Sequence, residues 1–224
     1  MCAWGYAVPV AISLIPGCVA LARTAGRSAG AWVAAALGGG GWLLALSARI
    51  PLLVVVRLPQ GLYEYFASFA AGVFEETVRF FLLRAGFTGE RSSRVVLSFG
   101  IGWGLAEALL VYSIPAALYG FTQTYSWVDL LPGALERNSA IVIHVSLTLL
   151  LSRGIGRLSL LAASVLLHSA LNSAAVAALH TLRNVWLVEL VIAVLSAVVF
   201  AVIAVPTLRY LRRTAEPRIG GSGE

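Results

Sequence analysis

Phe66-Ala-Ser-Phe-Ala-Ala-Gly-Val-Phe-Glu-Glu-Thr-Val-Arg-Phe-Phe-Leu-Leu83 reads as the middle of a membrane-spanning helix, yet it carries Glu75, Glu76 and Arg79 where charge should be excluded. An ionised side chain near the centre of a spanning helix costs roughly 2.5–3.5 kcal/mol on insertion scales. Such groups usually face a protein interior or a water-filled cavity. If this helix spans, the two adjacent carboxylates therefore mark a site.

The rest of the chain supports the spanning reading. Of 224 residues, 59% are hydrophobic and 12% charged, and the mean hydropathy is +0.89, far from the balance of a soluble domain. The formal net charge of +6 could suggest nucleic acid, but the arginines fall between apolar runs, so they read as topology signals and no nucleic-acid partner is expected. There is no lysine, which excludes a lysine Schiff base and a retinal protein of the opsin kind. Cys2 and Cys18, on one helix, would lie roughly 24 Å apart, beyond disulfide reach. No basic residue precedes the first apolar run, so it is read as a span rather than a signal peptide.

Spans of about 20 apolar residues fit at 4–22, 30–48 (or on to Val56), 62–83, 95–118, 139–152, 158–180 and 185–208. This predicts an all-α, polytopic bundle of about seven transmembrane helices forming a single domain over 1–224, with a core at 60–175 and a short cytoplasmic tail at 209–224. Eleven arginines follow the odd-numbered spans. Three (Arg57, Arg137 and Arg183) fall on the other side. That bias places the N-terminus outside and the C-terminus in the cytoplasm of a prokaryotic plasma membrane. Gly38–Gly41, Arg49 and Pro51 predict that span two is kinked, or ends early in a re-entrant piece. The stretch 119–137, with Phe121, Tyr125, Trp127, Leu130 and Leu131, reads as an interfacial loop.

Few strongly polar groups remain at depth: Glu75, Glu76 and Arg79 on span three, Glu107 on four, His144 on five, and His168 with Asn172 on six. At 1.5 Å per residue, Glu76, Glu107, His144 and His168 fall in one layer roughly 12–18 Å below the cytoplasmic surface. Glu75 and Glu76 are about 100° apart around their helix, so one can face a common centre while the other pairs with Arg79. His168 and Asn172, at i and i+4, share a face. His180, Glu189, Glu64 and Glu136 lie nearer the outer interface and are expected to be solvated or snorkelling.

Three motifs on spans three, four and six, Glu75-Glu-Thr-Val-Arg79, Trp103-Gly-Leu-Ala-Glu107 and His168-Ser-Ala-Leu-Asn172, resemble the intramembrane protease superfamily that includes the CAAX prenyl endopeptidases and the PrsW and YhfC families. Glu107 in place of the histidine of the prenyl endopeptidases, the Glu75-to-Arg79 step and His144 on the intervening helix resemble the YhfC and PrsW side. The resemblance implies an intramembrane peptidase with Glu75 as general base and an imidazole orienting the water. It also implies that His168 and Asn172 stabilise the oxyanion while Glu76 and Arg79 fix the geometry. The implied substrate is a membrane-embedded or membrane-anchored peptide reached through the bilayer.

Other chemistries use the same residues. His144, His168 and Glu107 form a two-histidine, one-carboxylate set suited to catalytic zinc, with water in the fourth position and Glu75 as base. No other cofactor is expected. Buried carboxylates and histidines also build proton relays in transporters, although no second broken helix mirrors span two as paired repeats would require. A non-catalytic membrane scaffold would keep the same fold.

Overall fold

The computed structural model describes residues 3–86, 92–122 and 125–215. Cys2, Arg91 and most of the expected 209–224 tail lie outside the described residues, so the cysteine spacing and part of the arginine count have no structural counterpart. The described residues form an all-α bundle without strands. Its elements are α1 (Ala7–Ala25), α2 (Ala29–Val55), α3 (Gln60–Arg84), α4 (Ser93–Glu107), α5 (Ile114–Thr122), α6 (Leu131–Ser152), α7 (Leu158–Leu182), α8 (Val185–Val199) and α9 (Val205–Ala215).

Six helical stretches are long and apolar enough to cross a membrane: Trp4–Ala25, Ala29–Val55, Ser93–Thr122, Trp127–Ser152, Leu158–Leu182 and Val185–Leu211. The seventh expected span, α3, has 25 residues, but Glu64, Glu75, Glu76, Arg79 and Arg84 reduce its apolarity. The outside of the bundle is apolar instead: Val55, Leu62, Leu118, Leu166, Leu190 and Val202 are all exposed. Polar groups in and hydrocarbon out is the pattern a protein adopts when its surroundings are lipid.

Helix boundaries follow local chemistry. Ser28 and Ser92 cap α2 and α4 by accepting from the N–H groups of Ala31 and Val95, and Asn184 caps α8 in the same way. Two wider π-type turns, Ala108–Ser113 and Phe200–Ala204, link α4 to α5 and α8 to α9. Each precedes a proline by one residue, Pro115 and Pro206. A proline ring clashes with the carbonyl four residues back in a regular helix, and the wider turn relieves that clash without breaking the rod. The first π turn begins directly after Glu107, a placement common at functional sites.

Two expectations are corrected. α2 runs unbroken through Gly38–Gly41 and Pro51, with no re-entrant piece. Its glycines serve packing: a Cβ on Gly38 would stand 2.1 Å from the Phe99 carbonyl oxygen, and one on Gly102 2.0 Å from that of Ala35. The backbones of α2 and α4 therefore touch, as small residues allow. The stretch 119–137 is mostly helix rather than loop. Ser126 caps a short turn at Trp127–Leu130, and Pro132, at the start of α6, suits a first helical turn. The first residues of the expected tail, 209–215, are helical, because the π turn carries the chain past Pro206.

α2, α4, α6, α8, α7 and α3 form a ring in which each packs on the next and α3 closes against α2; α1 lies outside, against α4 and α6. Gly100 and Gly104 pack on Val145 and Ile141 of α6, so this small-residue pair works within the bundle. Cross-helix pairs give the directions: Arg49 meets Glu75, Tyr63 meets Leu53, Glu76 meets His168 and Glu64 meets His180. Sequence-adjacent long helices therefore run antiparallel. The connections after α1, α3 and α6 accordingly lie on one face, and those after α2, α5 and α7 on the other.

Candidate active site

Glu76 is fully buried and its carboxylate is saturated. Arg79 donates to Oε1 at 2.6 Å and to Oε2 at 2.7 Å, Ser164 donates to Oε2 at 2.6 Å, and His168 Nδ1 lies 2.7 Å from Oε1. Arg79 is also fully buried, with its guanidinium carbon 4.4 Å above the Trp103 ring, a cation–π contact. Its Nη2 lies 2.8 Å from His144 Nδ1. Arginine can only donate, so a neutral His144 accepts at Nδ1 and carries its proton on Nε2. That Nε2 is 2.5 Å from Glu107 Oε2. One chain of hydrogen bonds thus runs Ser164–Glu76–Arg79–His144–Glu107, with His168 branching from Glu76.

Glu75 is held differently. Trp103 Nε1 reaches Oε2 and Arg49 reaches Oε1, both at 3.3 Å, longer than a strong charge-assisted bond. Glu75, Glu107, His144, His168 and Asn172 all line one cavity of about 360 Å³, together with Trp42, Arg49, Glu136 and Arg137. Potential ligand atoms of Glu75, Glu107 and His144 lie within 4.8 Å of one another. The four helices expected to bring acid and imidazole groups to one layer do so.

The two adjacent glutamates separate as their 100° offset requires. Glu76 takes Arg79 behind the cavity wall, and Glu75 faces the space. The set that converges for a cation is Glu75, Glu107 and His144; His168, assigned to zinc from sequence, turns its Nδ1 to Glu76 instead. Asn172 stands one turn beyond His168 on the cavity wall.

Two arginines and two other residues were misplaced or missed. Arg137, expected in an outer loop, lies in α6 and donates to Glu107 at 2.8 Å, because α6 begins eight residues before the expected span. Glu136, expected to be solvated, lines the cavity and pairs with Arg137. Arg49 drew attention only as a flaw in span two. Its signal was its position: Trp42 and Arg49, seven residues apart, share one face of α2 and both line the cavity. The Trp42 indole N–H is buried without a partner among the described residues. By contrast, Glu64 and His180 pair at 2.6 Å in an exposed position, away from the site.

No family model matches the chain, and no curated protein matches it in sequence.

Proposed function

We propose that the protein is an intramembrane endopeptidase, akin to the YhfC and PrsW side of the superfamily named above, with α3 as the seventh spanning helix and the N-terminus outside. One observation carries the reading: of two adjacent glutamates, Glu76 is saturated by Arg79, Ser164 and His168, while Glu75 faces a cavity beside Glu107 and His144. Short bonds on both oxygens account for Glu76, whereas Glu75 has only the 3.3 Å contacts to Arg49 and Trp103 and keeps a face toward the cavity. A buried carboxylate at the wall of a polar cavity is suited to take a proton from water.

In this reading Glu75 removes the proton as the water oxygen bonds to the substrate carbonyl carbon. The proton then passes to the departing amide nitrogen as the C–N bond breaks. Glu107, held by His144 and Arg137, bounds the water position from the other side. His168 donates Nδ1–H to Glu76, so only Nε2 is left for the cavity; there it donates to an oxyanion when the ring is doubly protonated, with the Asn172 amide beside it. Incubating purified protein in proteoliposomes with a library of membrane peptides, and reading new termini by mass spectrometry, tests the proposal. Cleavage by wild type and its loss in Glu75→Gln are expected. Equal cleavage by both would remove Glu75 from the role.

The convergence of Glu75, Glu107 and His144 favours one second reading, a bound cation such as zinc. The donors suit it, mixing carboxylate and imidazole. Against it, Glu75 and Glu107 already have guanidinium partners, Arg49 and Arg137, which would lie against the added positive charge. A chelator that abolishes cleavage, with zinc restoring it, selects the metal reading.

A further inference from the structure

The cavity is a pit with one blind end. From the layer of Glu75, Glu107 and His144, its lining continues along α2 to Arg49, back along α3 to Ala67, into the π turn to Val111, back along α6 to Glu136 and along α7 to Ala175. All five directions lead to the same face, where the connections after α2, α5 and α7 lie. In the opposite direction the space is filled. Behind Glu76 and Arg79, the buried side chains of Phe80, Leu83, Val95, Phe99 and Leu151 form a core cluster that Leu160 and Leu161 pack against.

The arginines distinguish the two faces. Arg23, Arg27, Arg84, Arg94, Arg153, Arg157 and Arg209 lie on or beside the blind face, whereas the mouth face has Arg57 and Arg183, with Arg49 and Arg137 inside the pit and paired to Glu75 and Glu107. Arginine in short connections stays on the cytoplasmic side. We propose that the pit opens away from the cytoplasm, so that its substrate is a peptide segment on the extracytoplasmic side of a membrane protein. The substrate part of this inference rests on the hydrolase reading; the side of opening does not.

A cleavage-independent experiment tests it. In full-length protein with Cys2 and Cys18 replaced by serine, single cysteines are placed at Ala140 and Ala175, both on the pit wall, and at Arg57 and Arg84, exposed at the two faces. Intact cells are treated with a membrane-impermeant maleimide before or after permeabilisation. The expected result is labelling of Arg57→Cys, Ala140→Cys and Ala175→Cys in intact cells and of Arg84→Cys only after permeabilisation. Pit reporters that follow Arg84→Cys, or that stay unlabelled on both sides while the face reporters react, overturn the proposal. So does labelling of Arg84→Cys in intact cells, which would reverse the orientation. External labelling of the pit in a protein that cuts no peptide would count against the hydrolase reading and leave the opening in place.

Discussion

The two ends of the cavity are built from the same residue types and bound in opposite ways. At the blind end, Glu76, Arg79, His168 and Ser164 make short hydrogen bonds of 2.6–2.7 Å with almost no exposure. Nearer the mouth the holding is uneven: Glu107, 18% exposed, is bonded at 2.5 Å to His144 and 2.8 Å to Arg137, while Glu75, itself buried, is held only at 3.3 Å, by Trp103 and by an Arg49 side chain that is 13% exposed. A saturated buried charge holds structure together, because removing either partner strands the other in a medium of low polarity. A loosely held one keeps capacity for a proton or a substrate. The comparison assigns stability to Glu76 and Arg79 and chemistry to Glu75, with His168 joining the two through Nδ1 on Glu76 and its place on the cavity wall.

The sharpest way to break that assignment is to exchange the effects. Glu75→Gln keeps an acceptor for Arg49 and Trp103 but cannot act as a base, so cleavage should fall about 100- to 10,000-fold while thermal unfolding in detergent hardly moves. Arg79→Ala should do the reverse in kind. It leaves Glu76 buried without its main counter-charge and removes the group packed on Trp103, costing about 3–5 kcal/mol of stability, read as a large fall in melting temperature or failure to accumulate. Arg79→Lys should recover only part of this, since an ammonium cannot reproduce the fork that reaches both Glu76 and His144. A melting temperature lowered as much by Glu75→Gln as by Arg79→Ala would erase the distinction.

The charged layer at mid-depth was largely legible in the sequence, and the arginines that hold it from the mouth side were not. Glu75, Glu76, Arg79, Glu107, His144, His168 and Asn172 announced themselves because each is polar where an apolar helix leaves it no alternative but the interior. Helix spacing and alternating direction then placed them at one depth. Arg49 and Arg137 sit nearer the helix ends, where arginine ordinarily marks a loop or the interface, so their charge carried no comparable surprise. Their roles depend on rotation and start point: Arg49 on the glycine contact that sets α2 against α4, Arg137 on α6 beginning at Leu131 instead of 139. Neither the backbone contact nor the early start leaves a periodic trace. Trp127 and Asp129, which begin the approach to α6, look like an interfacial loop for the same reason.

That glycine contact can itself be tested. Gly102→Ala would push a Cβ to 2.0 Å from the Ala35 carbonyl oxygen, so α2 and α4 must separate. Overpacking of this kind costs about 1–3 kcal/mol, and the separation would also shift Trp42 and Arg49 relative to Glu75. A moderate fall in melting temperature with a larger fall in cleavage is therefore expected. Stability lost with cleavage per folded molecule intact would show that the mouth tolerates movement of α2.

The smallest effect is expected from a pair that looks equivalent on paper. Glu64 and His180 join α3 to α7 at 2.6 Å, the same helices and residue types as Glu76 and His168 at 2.7 Å. Distance alone would rank them together. The difference is surroundings: the His180 and Glu64 side chains are 50% and 32% exposed, against 5% and 0% for His168 and Glu76. An exposed pair exchanges one set of solvent contacts for another, spends side-chain entropy on a fixed geometry and is screened by salt. His180→Ala should thus change stability by about 0–1 kcal/mol and leave cleavage alone, whereas His168→Ala should lower both. A double-mutant cycle on each pair, run by thermal unfolding, measures the contrast directly. Equal coupling energies would mean that the bond lengths, and not the burial that separates the two ends of α3, set the strength of these contacts.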